Sequence, residues 1–187
     1  MVLCPDDRSK NGAFGLKWVQ KLLSATSTRT QFPNIELWVC GELDAGNPSM
    51  IRKDMLLDWI ETKTIRYFGF VEDIRQVFSK SHCVVLPSYR EGMPRVILEA
   101  MAMEKPVIVS DSAGCRQTVE DGISGIIARH GDSESLMTAM KQFAQMDTDA
   151  KKAMGRQARE RAKTIFNSEK ISIELFEIIS QVYFCAK

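Results

Sequence analysis

The stretch Cys83-Val84-Val85-Leu86-Pro87-Ser88-Tyr89-Arg90-Glu91-Gly92-Met93-Pro94 decides the fold, because a strand, a loop and a helix start follow one another in it. Residues 83–86 are continuously apolar, which is typical of a strand buried on both faces. Pro87 cannot donate to a strand ladder and ends the strand. Gly92 permits a tight turn, and Pro94 suits the first turn of a helix. The order predicts a central strand whose loop leads directly into a helix.

The helix start predicts an anion site. The first amides of a helix have no partner within it and the helix dipole adds partial positive charge, so a phosphate or diphosphate fits beside Gly92 and Met93. Glu99 follows about one turn later, roughly 6 Å along the axis, and its carboxylate can accept bonds from two ribose hydroxyls. Glu91 precedes the helix, so the two acids would bracket one ligand. Either glutamate alone is equally well explained as dipole compensation or as a solvent-facing side chain.

Composition indicates one globular domain without a strong charge. The chain has 187 residues, 44% of them hydrophobic and 26% charged, and its net charge of +1 gives no reason to expect a nucleic-acid partner. The five cysteines are scattered without a Cys-x-x-Cys pair, which favours reduced thiols and a cytoplasmic protein. With no leader pattern and no apolar run near 18 residues, we expect neither export nor a membrane span.

Strand and helix patterns alternate along the chain. Strands are expected at 1–4, 35–40, 64–68, 83–86, 106–109 and 125–128. Helices are expected at 13–24, 50–62, 72–80, from Pro94, and at 116–120, 133–145 (capped by Ser133), 149–165 and 168–184. The alternation predicts an α/β fold, a Rossmann-like three-layer α/β/α arrangement with a roughly six-stranded parallel sheet. Ligands of such sheets bind outside the carboxyl ends of the strands, where the Glu91 loop would lie.

The central motif also resembles that of a known family. Glu91-Gly92-Met93-Pro94, then Glu99-Ala100-Met101-Ala102 and Pro106-Val107-Ile108-Val109, is similar to the donor-side signature of the group 1 glycosyltransferases, the retaining family 4 enzymes of the GT-B fold. The resemblance covers nearly the whole chain and includes segment 34–41, which ends at Gly41, segment 68–73 around Val71, and segment 114–125. It implies that residues 1–187 form one nucleotide-sugar-binding domain, the C-terminal half of a GT-B enzyme.

The resemblance assigns roles along the donor. Glu99 would bind the ribose, Glu91 the donor sugar, and the backbone of Gly92, Met93 and Pro94 the diphosphate. The backbone near Val71 would pair with the base, and Gly41 would end the strand before it.

Of two cationic residues that the family places at the diphosphate, a lysine and an arginine, only the lysine has a clear match in this sequence. Lys10 matches the lysine that neutralises the leaving diphosphate, and it would act in catalysis together with Glu91. The partner arginine is expected near Cys4 or Pro5, where none stands, so either Arg8 replaces it or the anion clamp is weaker. Lys10 is equally well explained as a surface lysine of a polar loop.

By resemblance, the function is retaining transfer of a hexose from a nucleotide-diphosphate sugar, UDP rather than GDP, to a glycan or lipid-linked acceptor in polysaccharide biosynthesis. The nucleotide sugar is the substrate, and neither a cofactor nor a metal is expected. A GT-B enzyme also has an acceptor-binding N-terminal domain, which this length does not provide, so the chain should bind donor without transferring sugar alone. The alternative is a non-catalytic nucleotide-binding or partner-binding subunit of a complex.

Other nucleotide-binding and metal-binding classes fit poorly. Gly12-x-x-Gly15 lacks the first glycine of a dinucleotide fingerprint, the P-loop pattern is missing, and His82 and His130 have no zinc-ligand spacing around them. The basic stretch 151–163 is explained by peripheral contact with an anionic membrane or by one solvated helix face.

The apolar stripe in 168–184 makes that helix a packing element, either core against the sheet or a docking face for the missing domain. Glu104 stands where a helix-ending, left-handed glycine is common.

Overall fold

The computed structural model describes residues 2–3, 35–42 and 52–185. The strands are β1 (Val2–Leu3), β2 (Trp38–Cys40), β3 (Arg66–Gly69), β4 (Val84–Leu86), β5 (Val107–Ser110) and β6 (Gly125–Ala128). The helices are α1 (Lys53–Glu61), α2 (Arg75–Ser79), α3 (Arg95–Ala102), α4 (Ala113–Thr118), α5 (Ser133–Gln145), α6 (Thr148–Ile165) and α7 (Ser168–Cys185). Residues 4–34 and 43–51, which include the expected helix at 13–24, lie outside this description.

The six strands form one sheet in the order β3-β2-β1-β4-β5-β6. Every pairing between these strands is parallel, with Val84 opposite Val2 on one side and Val107 on the other. The three residues of β4 are almost completely buried, as their continuous apolar run predicts. The predicted six-stranded parallel α/β fold is confirmed.

Helices cover both faces of the sheet and create two apolar cores. Because side chains alternate along a strand, Val85 and Ile108 point to one face, where they pack with residues of α1 and α5. Val84 and Leu86 point to the other face, where they pack with residues of α2, α3, α4 and α6. Both sheet faces are therefore closed by helices of the described chain, which gives the predicted three layers.

Most element boundaries agree with the sequence prediction to within a few residues, and three differences concern helix ends. The helix expected at 116–120 runs instead over Ala113–Thr118, and the one expected at 72–80 is reduced to Arg75–Ser79. Ser133 was the expected cap of α5, but Asp132 fills that role by accepting hydrogen bonds from the amides of Glu134 and Ser135 at 2.9 and 3.0 Å. Ser133 is the first residue of the helix itself.

α7 does not pack against the sheet. Its described side chains are exposed except Ser180, and Phe176 remains 71% accessible. The expectation that 168–184 adds to the sheet core is therefore wrong, since both faces are already covered. The docking alternative is not tested by this arrangement. No helix of the described residues is both long and apolar enough to cross a membrane.

The basic stretch of α6 contributes mainly to packing and local ion pairs. Arg161 donates to the carbonyls of Thr118 and Gln117 at 2.9 and 3.0 Å, and Arg159 lies 3.5 Å from Glu104. Lys151 donates to the carbonyl of Ala144. These contacts leave only part of the stretch as an outward charged face, so a membrane role gains no support from them.

Glu104 ends α3 in the left-handed region with φ of 57°, as the sequence predicts. We expect Glu104→Gly to stabilise the fold by about 1 kcal/mol, because an L side chain is strained there and the exposed ion pair that is lost contributes little. Urea unfolding followed by circular dichroism measures this difference. Glu104→Gln is the control, since it removes the charge and keeps the strain; equal stability of the two variants would contradict the prediction.

Candidate functional site

The Glu91 loop lies at the position where parallel sheets bind ligands. β1 occupies the centre of the sheet, with β2 and β3 on one side and β4, β5 and β6 on the other. Chain order therefore reverses direction between β1 and β4, and ligands of open α/β sheets bind in the crevice outside the carboxyl ends of the strands at such a point. The loop from β4 to α3 leaves the sheet there.

The start of α3 has backbone amides that no described side chain caps. Pro94 has φ of −74° and ψ of 97°, so it is the capping residue and not, as expected, part of the first turn. Its carbonyl accepts hydrogen bonds from the amides of Ile97 and Leu98 at 3.0 and 3.2 Å. Among the described residues no side chain caps this start. The positive end of the helix dipole is thus available to an anion.

Glu91 lies half-buried before this helix start. One of its carboxylate oxygens is shielded from solvent, and its charge is close enough to Cys115 to influence that thiol. Burial is the larger cause that raises the pKa of Cys115 to about 11, and the negative charge of Glu91 adds to it. The thiol of Cys115 is therefore neutral at physiological pH.

The rest of the predicted donor site is open. Gly92, Met93 and Glu99 are exposed, with Met93 47% accessible, whereas Pro94 is buried. A Cβ on Gly92 would meet no described atom within 4 Å, and its φ lies outside the left-handed region, so the turn does not require glycine as the sequence interpretation supposed. No described residue therefore fills the space beside Gly92, through which a ligand could approach the backbone.

The segment from the end of β5 to the start of α4 forms hydrogen bonds with the Glu91 loop. The amide of Gly114, in α4, donates to the carbonyl of Glu91 at 3.2 Å, and the Ser110 hydroxyl at the end of β5 donates to the Ser88 carbonyl through a short hydrogen bond. Ser88 and Ser110 are both buried, and the Ser88 hydroxyl has no hydrogen-bond partner among the described residues. The sequence interpretation brought these two loops to one edge but missed the contact. The available signal was the set of small residues at the end of β5 and after it, namely Ser110, Ser112, Ala113 and Gly114.

Gly41 and Val71 follow β2 and β3 at the same edge of the sheet. The Tyr67 hydroxyl donates to the carbonyl of Gly41 at 2.7 Å, and the amide of Gly41 donates to Gly69 at 2.8 Å. Gly41 has φ of 136° and Gly69 has φ of 63°, conformations that favour glycine. Val71 is half-buried against the core. The two predicted base-side residues are therefore held by neighbouring strand ends.

The predicted cations are not located. Lys10 and Arg8 lie outside the described residues and follow β1 in the sequence. Within the described part of the chain, no group of His, Cys, Asp and Glu side chains is arranged to hold a metal ion. Arg116 is committed to Asp111, with 2.5 Å between Nε and a carboxylate oxygen. The source of positive charge at the site therefore stays a sequence prediction.

Family comparison agrees with this architecture. The family described as "Glycosyl transferases group 1" matches residues 9–146, most of the chain. The protein therefore belongs to the group 1 glycosyltransferases, which confirms the resemblance stated from the sequence. A capsular polysaccharide biosynthesis glycosyltransferase, CapM of Staphylococcus aureus, is 29% identical over 142 residues, which cover 76% of this chain and 37% of that protein. EpsD of Bacillus subtilis, a putative glycosyltransferase by its description, is 34% identical over 77 residues, 41% of this chain and 20% of that protein.

Solved structures share the fold. Anabaena HepE, crystallised in complex with UDP, superposes with a TM-score of 0.79 at 23% identity over 96% of this chain and 48% of its own. Sucrose-phosphate synthase from Thermosynechococcus elongatus superposes with a TM-score of 0.77 at 24% identity over 100% of this chain and 46% of its own. The chain thus spans less than half the length of these relatives.

Proposed function

We propose that this domain binds a UDP-sugar and presents it for retaining transfer of a hexose to a glycan or lipid-linked acceptor in polysaccharide biosynthesis. The observation that carries the proposal is the start of α3, which no described side chain caps and which lies at the sheet's switch point between Glu91 and Glu99. Family membership supports glycosyl transfer. The preference for UDP is taken from HepE, a similar fold crystallised with UDP and with UDP-glucose.

Each residue would act on one part of the donor. Glu99 accepts hydrogen bonds from the ribose hydroxyls, Glu91 holds a sugar hydroxyl, and the backbone from Gly92 to Pro94 contacts the diphosphate. The backbone near Val71, next to Gly41, receives the base. Lys10, assisted by Arg8, adds positive charge at the diphosphate.

The chemical step needs charge stabilisation more than a cofactor. The bond from the anomeric carbon to the diphosphate oxygen breaks, and its electron pair leaves on the diphosphate. The acceptor hydroxyl oxygen forms the new bond on the same face, and its proton passes to the departing diphosphate. The dipole of α3 and the charge of Lys10 favour the extra negative charge that develops. The proposal requires neither a metal nor a cofactor.

The acceptor would be held by a surface outside the described residues. α7 supports this, because its exposed apolar side chains need a partner if they are to leave water. We propose that α7 docks to the acceptor-binding domain, supplied by the same polypeptide or by a partner chain. The charged residues of α7 are Glu169, Lys170, Glu174 and Glu177, an acidic balance that does not favour an anionic membrane as the partner.

Calorimetric titration with UDP, GDP and ADP tests the donor site. We expect UDP to bind best, in the micromolar to millimolar range, and Glu99→Ala to weaken it about tenfold, because a charged hydrogen bond to ribose contributes roughly 1.5 kcal/mol or more. Glu177→Ala, which removes an exposed glutamate of α7 to which no part of the donor is assigned, is the matched control. Binding should survive a chelator. If a folded sample binds no nucleotide diphosphate, the donor-site proposal fails.

Gly92→Ala separates binding from stability. Because nothing described lies within 4 Å of the added Cβ and φ is not left-handed, we expect thermal stability to stay level or to rise by about 0.5 kcal/mol. The same methyl group would occupy the space through which the diphosphate approaches the backbone, so the affinity for UDP should fall about tenfold or more. Scanning calorimetry and UDP titration of one sample measure both changes. Unchanged UDP affinity would place the diphosphate elsewhere.

Truncation after Asn167 tests whether α7 belongs to the folded body. We expect the shortened chain to unfold within about 0.5 kcal/mol of the full chain, because exposed side chains contribute little to stability. Its UDP affinity should be unchanged. Urea unfolding and calorimetry give the two values. A large loss of stability would mean that α7 packs on this domain and would remove the basis for assigning it to a docking role.

A further inference from the structure

We propose that Gly114 is a positioning residue for the donor-sugar glutamate: its amide and its missing side chain fix the Glu91–Gly92 backbone above α4. The inference rests on the proposed function for its consequence, since Glu91 is the residue expected to hold the sugar. The contact between Gly114 and the Glu91 loop does not depend on that function. Gly114 itself touches no reacting group and acts only through the loop.

Gly114 has no room for a side chain. A Cβ on Gly114 would overlap the carbonyl oxygen of Gly92 and would lie 2.5 Å from the carbonyl oxygen of Glu91 and 2.6 Å from the carbonyl carbon of Gly92. Backbone atoms cannot rotate away as the end of a flexible side chain can. The φ of Gly114 is outside the left-handed region, so glycine is needed here for space and not for conformation. Because Gly114 has no side chain, the backbone of Glu91 and Gly92 can pack directly against α4.

Hydrogen bonds fix the loop in that position. The amide of Gly114 donates to Glu91 at 3.2 Å, and the Ser110 hydroxyl donates to the Ser88 carbonyl a few residues earlier in the same loop. The amide of Ser112 donates in turn to the carbonyl of Ser110 at 2.8 Å, which holds the supporting loop together. The hydrogen bonds to Ser88 and Glu91 hold the loop at two separate points. They restrict its distance from α4 and its rotation, and thereby the direction in which the Glu91 side chain projects.

Burial and hydrogen bonds to its neighbours anchor α4. Cys115 and Thr118 are fully buried, and Arg161 of α6 donates to the last carbonyls of α4. Asp111, just before α4, donates its amide to Ala128 at 2.8 Å. The Glu91 loop, by contrast, has Gly92 and Met93 exposed. A methyl group at Gly114 should therefore displace the Glu91 loop and leave α4 where it is.

The test compares Gly114→Ala with Gly155→Ala in the full chain. Gly155 is the matched control, because a Cβ there would also overlap a backbone carbonyl, that of Glu104, but at the contact between α3 and α6. Hydrogen exchange of residues 88–94 is measured for both variants by mass spectrometry without ligand. We expect exchange in this segment to become about tenfold faster in Gly114→Ala and to stay unchanged in Gly155→Ala, although both lose stability.

Titration with UDP and UDP-glucose supplies the second readout. Glu91→Gln should change the ratio of the two dissociation constants, and Gly114→Ala should change it in the same direction, by up to about tenfold. The double variant should add nothing further, because both changes act on one contact. Gly155→Ala should keep the ratio of the wild type. If Gly114→Ala fails to fold, Ser110→Ala removes the second contact with no added bulk and is expected to act in the same direction.

The outcomes separate the two proposals. If exchange in residues 88–94 is unchanged in both Gly114→Ala and Ser110→Ala, the positioning role is overturned, even where UDP binds as proposed. If exchange rises but the wild type binds neither UDP nor UDP-glucose, the proposed function fails while the contact between the loops stands. If Gly155→Ala shifts the ligand ratio as much as Gly114→Ala, the effect is general destabilisation and the positioning role is overturned.

Discussion

Parallel pairing on both sides of β4 is the constraint on which the remaining structure depends. A strand with neighbours on both edges and helices on both faces must be apolar throughout, and β4 is almost completely buried. Its backbone groups are satisfied by β1 and β5, so the chain must leave the sheet at the carboxyl end before it can turn back as α3. That exit places Glu91 and the open start of α3 in the crevice beside β1, with no free choice of position.

The strands and their parallel pairing could be predicted because a strand that is buried on both faces appears in the sequence as a continuous apolar run. Runs such as 83–86 and 106–109 have no polar residue to alternate with, and the helical patterns between them imply parallel crossovers. The pair of glutamates around the helix start was equally visible, since both lie within one local segment. Local order along the chain therefore accounts for most of the fold and for the position of the two glutamates of the candidate site.

Contacts between segments far apart in sequence could not be predicted in this way. Gly92 and Gly114 look alike in the sequence, yet only Gly114 has a carbonyl where its side chain would be. The cap of α5 shows the same limit on a smaller scale: Asp132 and Ser133 are both good capping residues, and the backbone geometry selects Asp132. In each case the outcome depends on an interatomic distance that is set when helices, strands and loops pack together. Composition and sequence spacing do not determine that distance.

The apolar pattern of α7 shows why burial must be judged from the whole body and not from one helix. A stripe at helical spacing predicts burial but does not say against what, so core packing and docking are indistinguishable at that level. The structure decides against core packing on the sheet. One face of the sheet is covered by α1 and α5, and the other face is covered by α2, α3, α4 and α6. No sheet face is left for α7. Within the described residues its apolar side chains therefore stay in water, and the stripe alone does not identify the surface that would cover them.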